Sequence, residues 1–357
     1  AERTFVVVMT AIYLVLQNLA TFMMNELQCM NETKKSSFST IIERLAFLVP
    51  LLVLLVLRID SFYPYVFAYT ASTLMQLGYC AWNLRDFWEA EWLGLRRASR
   101  LGWASIKIGF PMMLANVMSM LILGIGRVFI DARWGIETFG KLSLALSLVS
   151  FFLAFVSQAS MVLFPSLRQA TLDEVRRFYR AARDAMGLLF PGVYALYFPM
   201  VWLLSMWLPD YSSTFTYLIF LLPICVFDSK YNITGVTYYN VLRRERVMLL
   251  VNMVSAFTCL ILTLLAVYAF GSVFAVISVM TVVIVARSLW SEFYMNRLMK
   301  VPASSIGAAE IMLTVGFILS AFLLSPVPAF CLYSSIYLAF LTFFRHELVE
   351  TMKKLRP

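Results

Sequence analysis

Runs of about 20 apolar residues recur along nearly the whole chain, and they constrain its fold more than any other feature. A hydrocarbon layer roughly 30 Å thick is crossed by about 20 helical residues. Hydropathy gives eleven candidate spans, near residues 4–26, 38–57, 62–84, 106–130, 137–164, 186–208, 214–238, 248–269, 271–294, 304–324 and 328–344. Strands of a membrane barrel would read as alternating segments of about ten residues. These runs are continuous and rich in Leu, Met and Phe, so helices are expected. In lipid only helices and closed barrels satisfy every backbone polar group. With 61% hydrophobic residues, 14% charged and a mean hydropathy of +0.81, a soluble domain of 357 residues has no way to bury its apolar surface. The expected fold class is all-α, a polytopic membrane protein of about eleven transmembrane helices.

Basic residues orient the spans. If the connections alternate between two sides, one side collects 21 of the 29 Lys and Arg and the other holds four, Arg3, Arg58, Arg127 and Arg133. The positive-inside rule makes the basic side cytoplasmic and places the C-terminus there. The expected location is therefore a cell membrane crossed many times, with the basic connections on its cytoplasmic side. The net charge of +9 then reflects topology and contact with anionic lipid headgroups. Nucleic-acid binding would want a soluble basic domain, and the sequence offers none. Two basic connections read as interfacial helices. The first is "RDFWEAEWLGLRRASRLGWASIK". The second is "RQATLDEVRRFYRAARDAM", where Val175, Phe178, Tyr179, Ala182 and Met186 form a stripe and Arg176, Arg177, Arg180 and Arg183 face elsewhere.

Catalytic chemistry is thinly represented. The five cysteines are scattered without a CxxC pair, and the single histidine, His346, lies in the terminal tail. A metal site needs several ligands, so none is expected, and no cofactor is called for. No phosphate-cradling Gly loop appears. The opposite side has only short turns such as "FGS" and "SPVP". An embedded enzyme of the cell envelope is the weaker reading. A transporter, which needs a path and a few polar groups, is the stronger one.

Charged groups inside spans are functional candidates, because each costs a few kcal/mol at the bilayer centre. Glu43 and Arg44 sit in "FSTIIERLAF". Lys230 sits in "CVFDSKYNITGVTYYN" with Asp228 and Asn232, and Arg287 lies in "VVIVARSLWSEF". Arg44 can either snorkel to headgroups or face a cavity. The polar stretch around Lys230 can line a hydrated cavity or form a hydrogen-bonded seam between helices. Glu292, one turn beyond Arg287, is placed to pair with a cation of another helix. Arg44, Lys230 and Arg287 give three cations on separate helices, an arrangement that attracts an anionic substrate.

The stretch "SIKIGFPMMLANVMSMLILGIGRVFIDARWGIETFGKLSLALSLVSFFLAFVSQASMVLFPSLRQ" resembles the middle of polysaccharide flippases of the O-antigen and teichoic-acid export type, within the multidrug/oligosaccharidyl-lipid/polysaccharide (MOP) exporter superfamily. Gly126-Arg127, Phe139-Gly140-Lys141 and Phe164-Pro165 occupy the family's signature places. Arg127 is the signature position, and Gly126 stands where the family usually has Asp. "WLPDYSSTFTYLIFLLPICVFDSKYNITGVTYYNVLRRERVMLLVN" resembles the later helix pair.

The resemblance implies two six-helix lobes about a central cavity, followed by two trailing helices. Eleven spans would be the fourth to fourteenth, so the chain, which begins "AERTFVVVMT" without Met, is expected to lack the first three. The implied organisation is a partial N-lobe over 1–84, a cytoplasmic interfacial linker over 85–105, a C-lobe over 106–297, and two trailing helices with a basic tail over 298–357. The implied activity is flipping of an undecaprenyl-diphosphate-linked oligosaccharide for surface polysaccharide biosynthesis, by alternating access. Its partners would be that lipid-linked oligosaccharide, anionic membrane lipids and proteins of polysaccharide assembly. The alternative is a cation-coupled, multidrug-type exporter of small molecules, which would favour acidic groups within the spans.

Overall fold

The computed structural model describes residues 2–30, 32–59, 61–85, 94–207 and 212–355. Among them there is no strand. Helices α1 (Glu2–Cys29), α2 (Thr33–Val56) and α3 (Tyr63–Asn83) are followed by α4 (Leu95–Gln169). Then come α5 (Leu172–Leu189), a 3-10 segment (Phe190–Leu196), α6 (Tyr197–Trp207) and α7 (Ser212–Lys230). A π-helical turn (Tyr231–Val236) joins α7 to α8 (Thr237–Val241). The chain ends with α9 (Glu245–Leu265), a second π turn (Ala266–Phe270), α10 (Val273–Met299), α11 (Ile306–Leu323), α12 (Pro326–Phe343) and α13 (Arg345–Leu355).

Nine described helical runs are long and apolar enough to cross a membrane, which makes this an all-α polytopic membrane protein. Two features reconcile nine runs with eleven candidate spans. The 75-residue α4 is interrupted at Gly135 and holds two of them. At 21 residues α3 is long enough to cross, but it buries Thr70, Ser72, Thr73 and Gln76 and is less apolar.

The break in α4 is sharper than the sequence suggested. The gap expected between the candidate spans 106–130 and 137–164 is corrected to a single non-helical residue. Asp131 and Arg133 remain helical, and only Gly135 departs, at φ 81° and ψ 178°. That region of backbone space belongs essentially to glycine. A Cβ at Gly135 would meet nothing within 4 Å, so the cost of adding one is purely conformational. Gly135→Ala is expected to destabilise the protein by about 1–3 kcal/mol. Thermal unfolding of the purified protein in detergent measures this, and an unchanged midpoint contradicts it.

The chain divides into two compact units, residues 1–100 and 101–357. In the first unit, Tyr13 meets Tyr69 at 3.0 Å and Thr73 meets Gln17 at 3.5 Å, so α1 and α3 run parallel. Phe38 packs on Tyr79 and Phe47 on Tyr69, so α2 runs against them.

The second unit is ordered by the same kind of pairing. Asn252 donates to the Ala115 carbonyl at 2.9 Å and Cys259 to that of Ile122 at 3.4 Å, so α9 is parallel to the first arm of α4. Gly126 abuts Met280 and Ser119 meets Arg287, so α10 is antiparallel to that arm. Thr281 donates to the Phe220 carbonyl and Arg287 pairs with Asp228, which makes α7 parallel to α10. Tyr333 donates to the Pro191 carbonyl and Tyr337 to that of Leu188, so α12 runs against the α5–α6 run. These directions fit the alternation expected of the later spans. The core draws Ile122 and Ile130 from one arm of α4 and Leu142, Leu146 and Val149 from the other.

Helix α7 is the axis of this unit. Some 78% of the most apolar stretch of Thr214–Val241 is buried, against 6% for Val7–Cys29 of the first unit. A helix carrying Asp228, Ser229, Lys230, Asn232, Thr234 and Thr237 cannot face lipid, and its neighbours enclose it.

Helix α5 starts at a capping box. Thr171 accepts from the Glu174 backbone N–H while the Glu174 carboxylate accepts from the Thr171 N–H at 2.7 Å. Val175, Tyr179 and Ala182 are buried, as their stripe suggested. The four arginines do not share the opposite face, however. Arg183 is buried, donating to Asn296 Oδ1 at 2.7 Å and to the Pro302 carbonyl at 2.8 Å. Nor is α5 a separate helix in the headgroup plane, because it continues without a turn through the 3-10 segment into α6.

These contacts, with Tyr179 stacked edge-on against Tyr238 and α13 packed on α5, gather several connections at one end of the unit. Exposed Arg177, Arg180, Arg243, Arg244, Arg246, Arg297, Lys300 and Arg345 lie in them. The break in α4 belongs to the other end, where Asp131, Arg133, Glu137 and Lys141 balance one another. Of residues 85–105, 86–93 lie outside the described residues, and 95–105 form the exposed start of α4.

Candidate functional site: a charged centre in the second unit

Pro223 and the π turn mark α7 as irregular where its polar residues lie. Single π turns inside helices often accompany functional positions. The last turn of α7 presents Asp228 to α10 and Lys230 to both α10 and α11. Asp228 pairs with Arg287 of α10. Arg287 also donates to Ser119 Oγ at 2.7 Å and lies over the Tyr231 ring, 4.4 Å from its centroid. Such a cation–π contact is worth about 2 kcal/mol when desolvated. Asn232 donates back to the Asp228 carbonyl at 2.9 Å. The Tyr231 hydroxyl donates to Asn252 Oδ1 at 2.8 Å, and Asn252 in turn holds the Ala115 carbonyl. One connected seam thus ties α4, α7, α9 and α10.

Lys230 faces the other way. Its Nζ lies 2.6 Å from Glu310 Oε2 of α11 and 2.7 Å from Glu292 Oε2 of α10. The Glu310 contact is a directed hydrogen bond. The Glu292 oxygen is in close ionic contact with the same ammonium. Side-chain exposures of 3% for Lys230, 10% for Glu292 and 0% for Glu310 show that this is a buried ionic group. Glu310 Oε1 is buried without a hydrogen-bond partner.

The structure therefore brings Asp228, Lys230, Asn232 and Arg287 together in one centre. It places Glu43 and Arg44 elsewhere, on α2 of the first unit. Glu43 is buried on a face shared with Ser36 and Ser39, while the adjacent Arg44 is exposed. Beside them, Gln76 Oε1 is buried with no partner. Arg127 is half-buried on the first arm of α4, with its Nε enclosed and unpartnered. At Gly126 a Cβ would come 2.1 Å from Met280 Sδ. The Asp usual to the resembled family would displace that side chain, which is the physical counterpart of the departure at this position. The side chains of Phe164 and Pro165 lie outside the described residues.

Glu292 pairs with a cation of another helix, as its position suggested. Glu310 was missed, although the rule that flagged Lys230 applies to it. It is a lone carboxylate within an apolar span, in "IGAAEIMLTV". Among the described residues no group of three or more His, Cys, Asp or Glu could hold a metal ion.

A helical, multi-pass membrane protein with an ionic centre buried between its helices is the class these features define. Residues 2–171 match the family model described as "Polysaccharide biosynthesis protein". The match takes in the first unit and all of α4, including the stretch from residue 105 that carries the resemblance. No curated protein and no solved structure gives a significant match. The chain is a polysaccharide-related membrane protein of the flippase or exporter kind.

Proposed function

We propose that this protein moves a lipid-linked oligosaccharide, carried on undecaprenyl diphosphate, across the bacterial cytoplasmic membrane by alternating access, without reacting with it. The observation that carries this reading is the family match over residues 2–171 in a chain whose helices are built to cross a membrane. In this orientation the basic end of the second unit faces the cytoplasm and meets anionic lipid headgroups. Of the three candidate cations Arg44, Lys230 and Arg287, Arg44 is the one exposed, on α2, where it would meet a diphosphate. Lys230 and Arg287 would reach the cargo only by exchanging Glu310, Glu292 and Asp228 for its anions.

The test is complementation of a strain lacking its own flippase, with surface polysaccharide as the readout. The protein restores the polysaccharide. Arg44→Ala lowers flipping by roughly 10- to 150-fold at unchanged membrane levels, since a charge-assisted hydrogen bond contributes roughly 1.5–3 kcal/mol. Failure of the wild-type protein to restore polysaccharide, while correctly inserted, contradicts the reading. One observation favours a second reading, export of small molecules by a cation-coupled route. The buried centre holds three carboxylates against two cations, the acidic bias such an exporter would want. Resistance to toxic cations in the same strain, without restored polysaccharide, would select it.

A further inference from the structure

The ionic centre of the second unit does not balance. Asp228, Glu292 and Glu310 carry three negative charges, and Lys230 and Arg287 two positive ones. The nearest titratable neighbours do not supply the missing charge. From α5, one turn from the point where Gly187 faces Glu310 Oε2, come Arg183 and Asp184, which pair with each other at 2.9 Å. The remaining groups are the buried Cys225 thiol, one turn before Asp228 on α7, and several phenols. Tyr231 lies under Arg287, Tyr239 accepts from Ser291, Tyr179 reaches the Glu292 carbonyl, and Tyr194 bonds Thr314, one turn beyond Glu310 on α11. A net charge left inside a low-dielectric core is expensive, and an ionisable group there neutralises rather than remain unpaired. Glu310 Oε1, fully buried and without a partner, is an oxygen placed to carry the neutralising atom.

We propose that Glu292 and Glu310 together bind one exchangeable proton around Lys230. The proton adds to a carboxylate oxygen, Lys230 remains an ammonium, and the remaining negative charge is shared across it. Three helices meet at this point, α7 through Lys230, α10 through Glu292 and α11 through Glu310. Loss of the proton leaves the pair doubly charged about one lysine, and mutual repulsion then works against the hold of α11 on α7. The centre is thus a proton-dependent clasp on α11. This inference concerns the charge count alone and stands apart from the identity of the cargo.

Infrared spectroscopy of the purified protein in lipid nanodiscs tests it, through the carbonyl stretch of protonated carboxyls. The difference spectrum between wild type and Glu310→Gln should show one protonated carboxyl in the wild type, which isolates this centre from Glu43. Glu292→Gln should also lose it, because removing either carboxylate of the pair balances the count around Lys230. Lys230→Met should instead gain a second protonated carboxyl. The Gln variants are near-isosteric, so the test survives if Lys230→Met fails to fold. Absence of the band from the wild type at every pH where it stays folded overturns the proposal. So does a melting midpoint that climbs with sodium chloride but not with choline chloride, which would make the neutralising ion a metal.

Discussion

Lys230→Met is expected to destabilise the second unit by about 3–5 kcal/mol, the cost of removing one partner from a buried ion pair. Methionine is close to lysine in length and would fill its space, so the effect isolates charge from packing. Two carboxylates, with side chains 10% and 0% exposed, would be left facing each other without a cation. The loss appears as a lowered unfolding midpoint in detergent and lower protein levels in the membrane. The triple variant Lys230→Met, Glu292→Gln, Glu310→Gln should recover most of it, because hydrogen-bonding neutral groups then replace the whole ionic group. Recovery of stability without recovery of flipping would assign the charge to function as well as to packing. A midpoint within about 0.5 kcal/mol of wild type for Lys230→Met alone would show that the ion pairs contribute little, as exposed ones do.

This centre also shows what the sequence could and could not reveal. Helix number and direction were legible because the signal is local. An apolar run of about 20 residues has one stable fate in lipid, and successive runs must alternate in direction. That Asp228, Lys230 and Arg287 must find partners was legible for the same reason, since a charge within such a run needs an explanation. Their partners were not. Which face of α7 meets α10 and which meets α11 depends on packing between segments 60 to 80 residues apart. A π turn at Tyr231–Val236 shifts the register of the polar face in a way no 3.6-residue period anticipates. Arg183 was misplaced for a related reason. The helical wheel of α5 separates an apolar stripe from a basic one, but the connection after α10 brings Asn296 and the Pro302 carbonyl over the basic side. Gly135 shows the opposite case. The sequence promised a polar turn of several residues, and a single glycine sufficed because its backbone reaches conformations other residues avoid.

Arg287→Met is expected to cost about 3–5 kcal/mol as well, but its variants separate two roles that Lys230 leaves entangled. Arg287 holds Asp228 and Ser119 and covers the Tyr231 ring, so its loss frees a carboxylate and breaks the link between α10 and the first arm of α4. Arg287→Met combined with Asp228→Asn removes both charges and should restore stability to within about 1–2 kcal/mol of wild type, less the cation–π contact. Arg287→Lys keeps the charge but loses the planar fork that serves Asp228 and Ser119 together, so it should fall between the two. If Arg287 only holds helices, flipping follows stability across this series and the neutral pair is active. If the diphosphate exchanges with Asp228 on the guanidinium, the neutral pair is stable yet inactive, and Arg287→Lys retains part of the rate. Measuring the unfolding midpoint and lipid-linked oligosaccharide flipping on the same preparations decides between them, because one side chain cannot give both patterns.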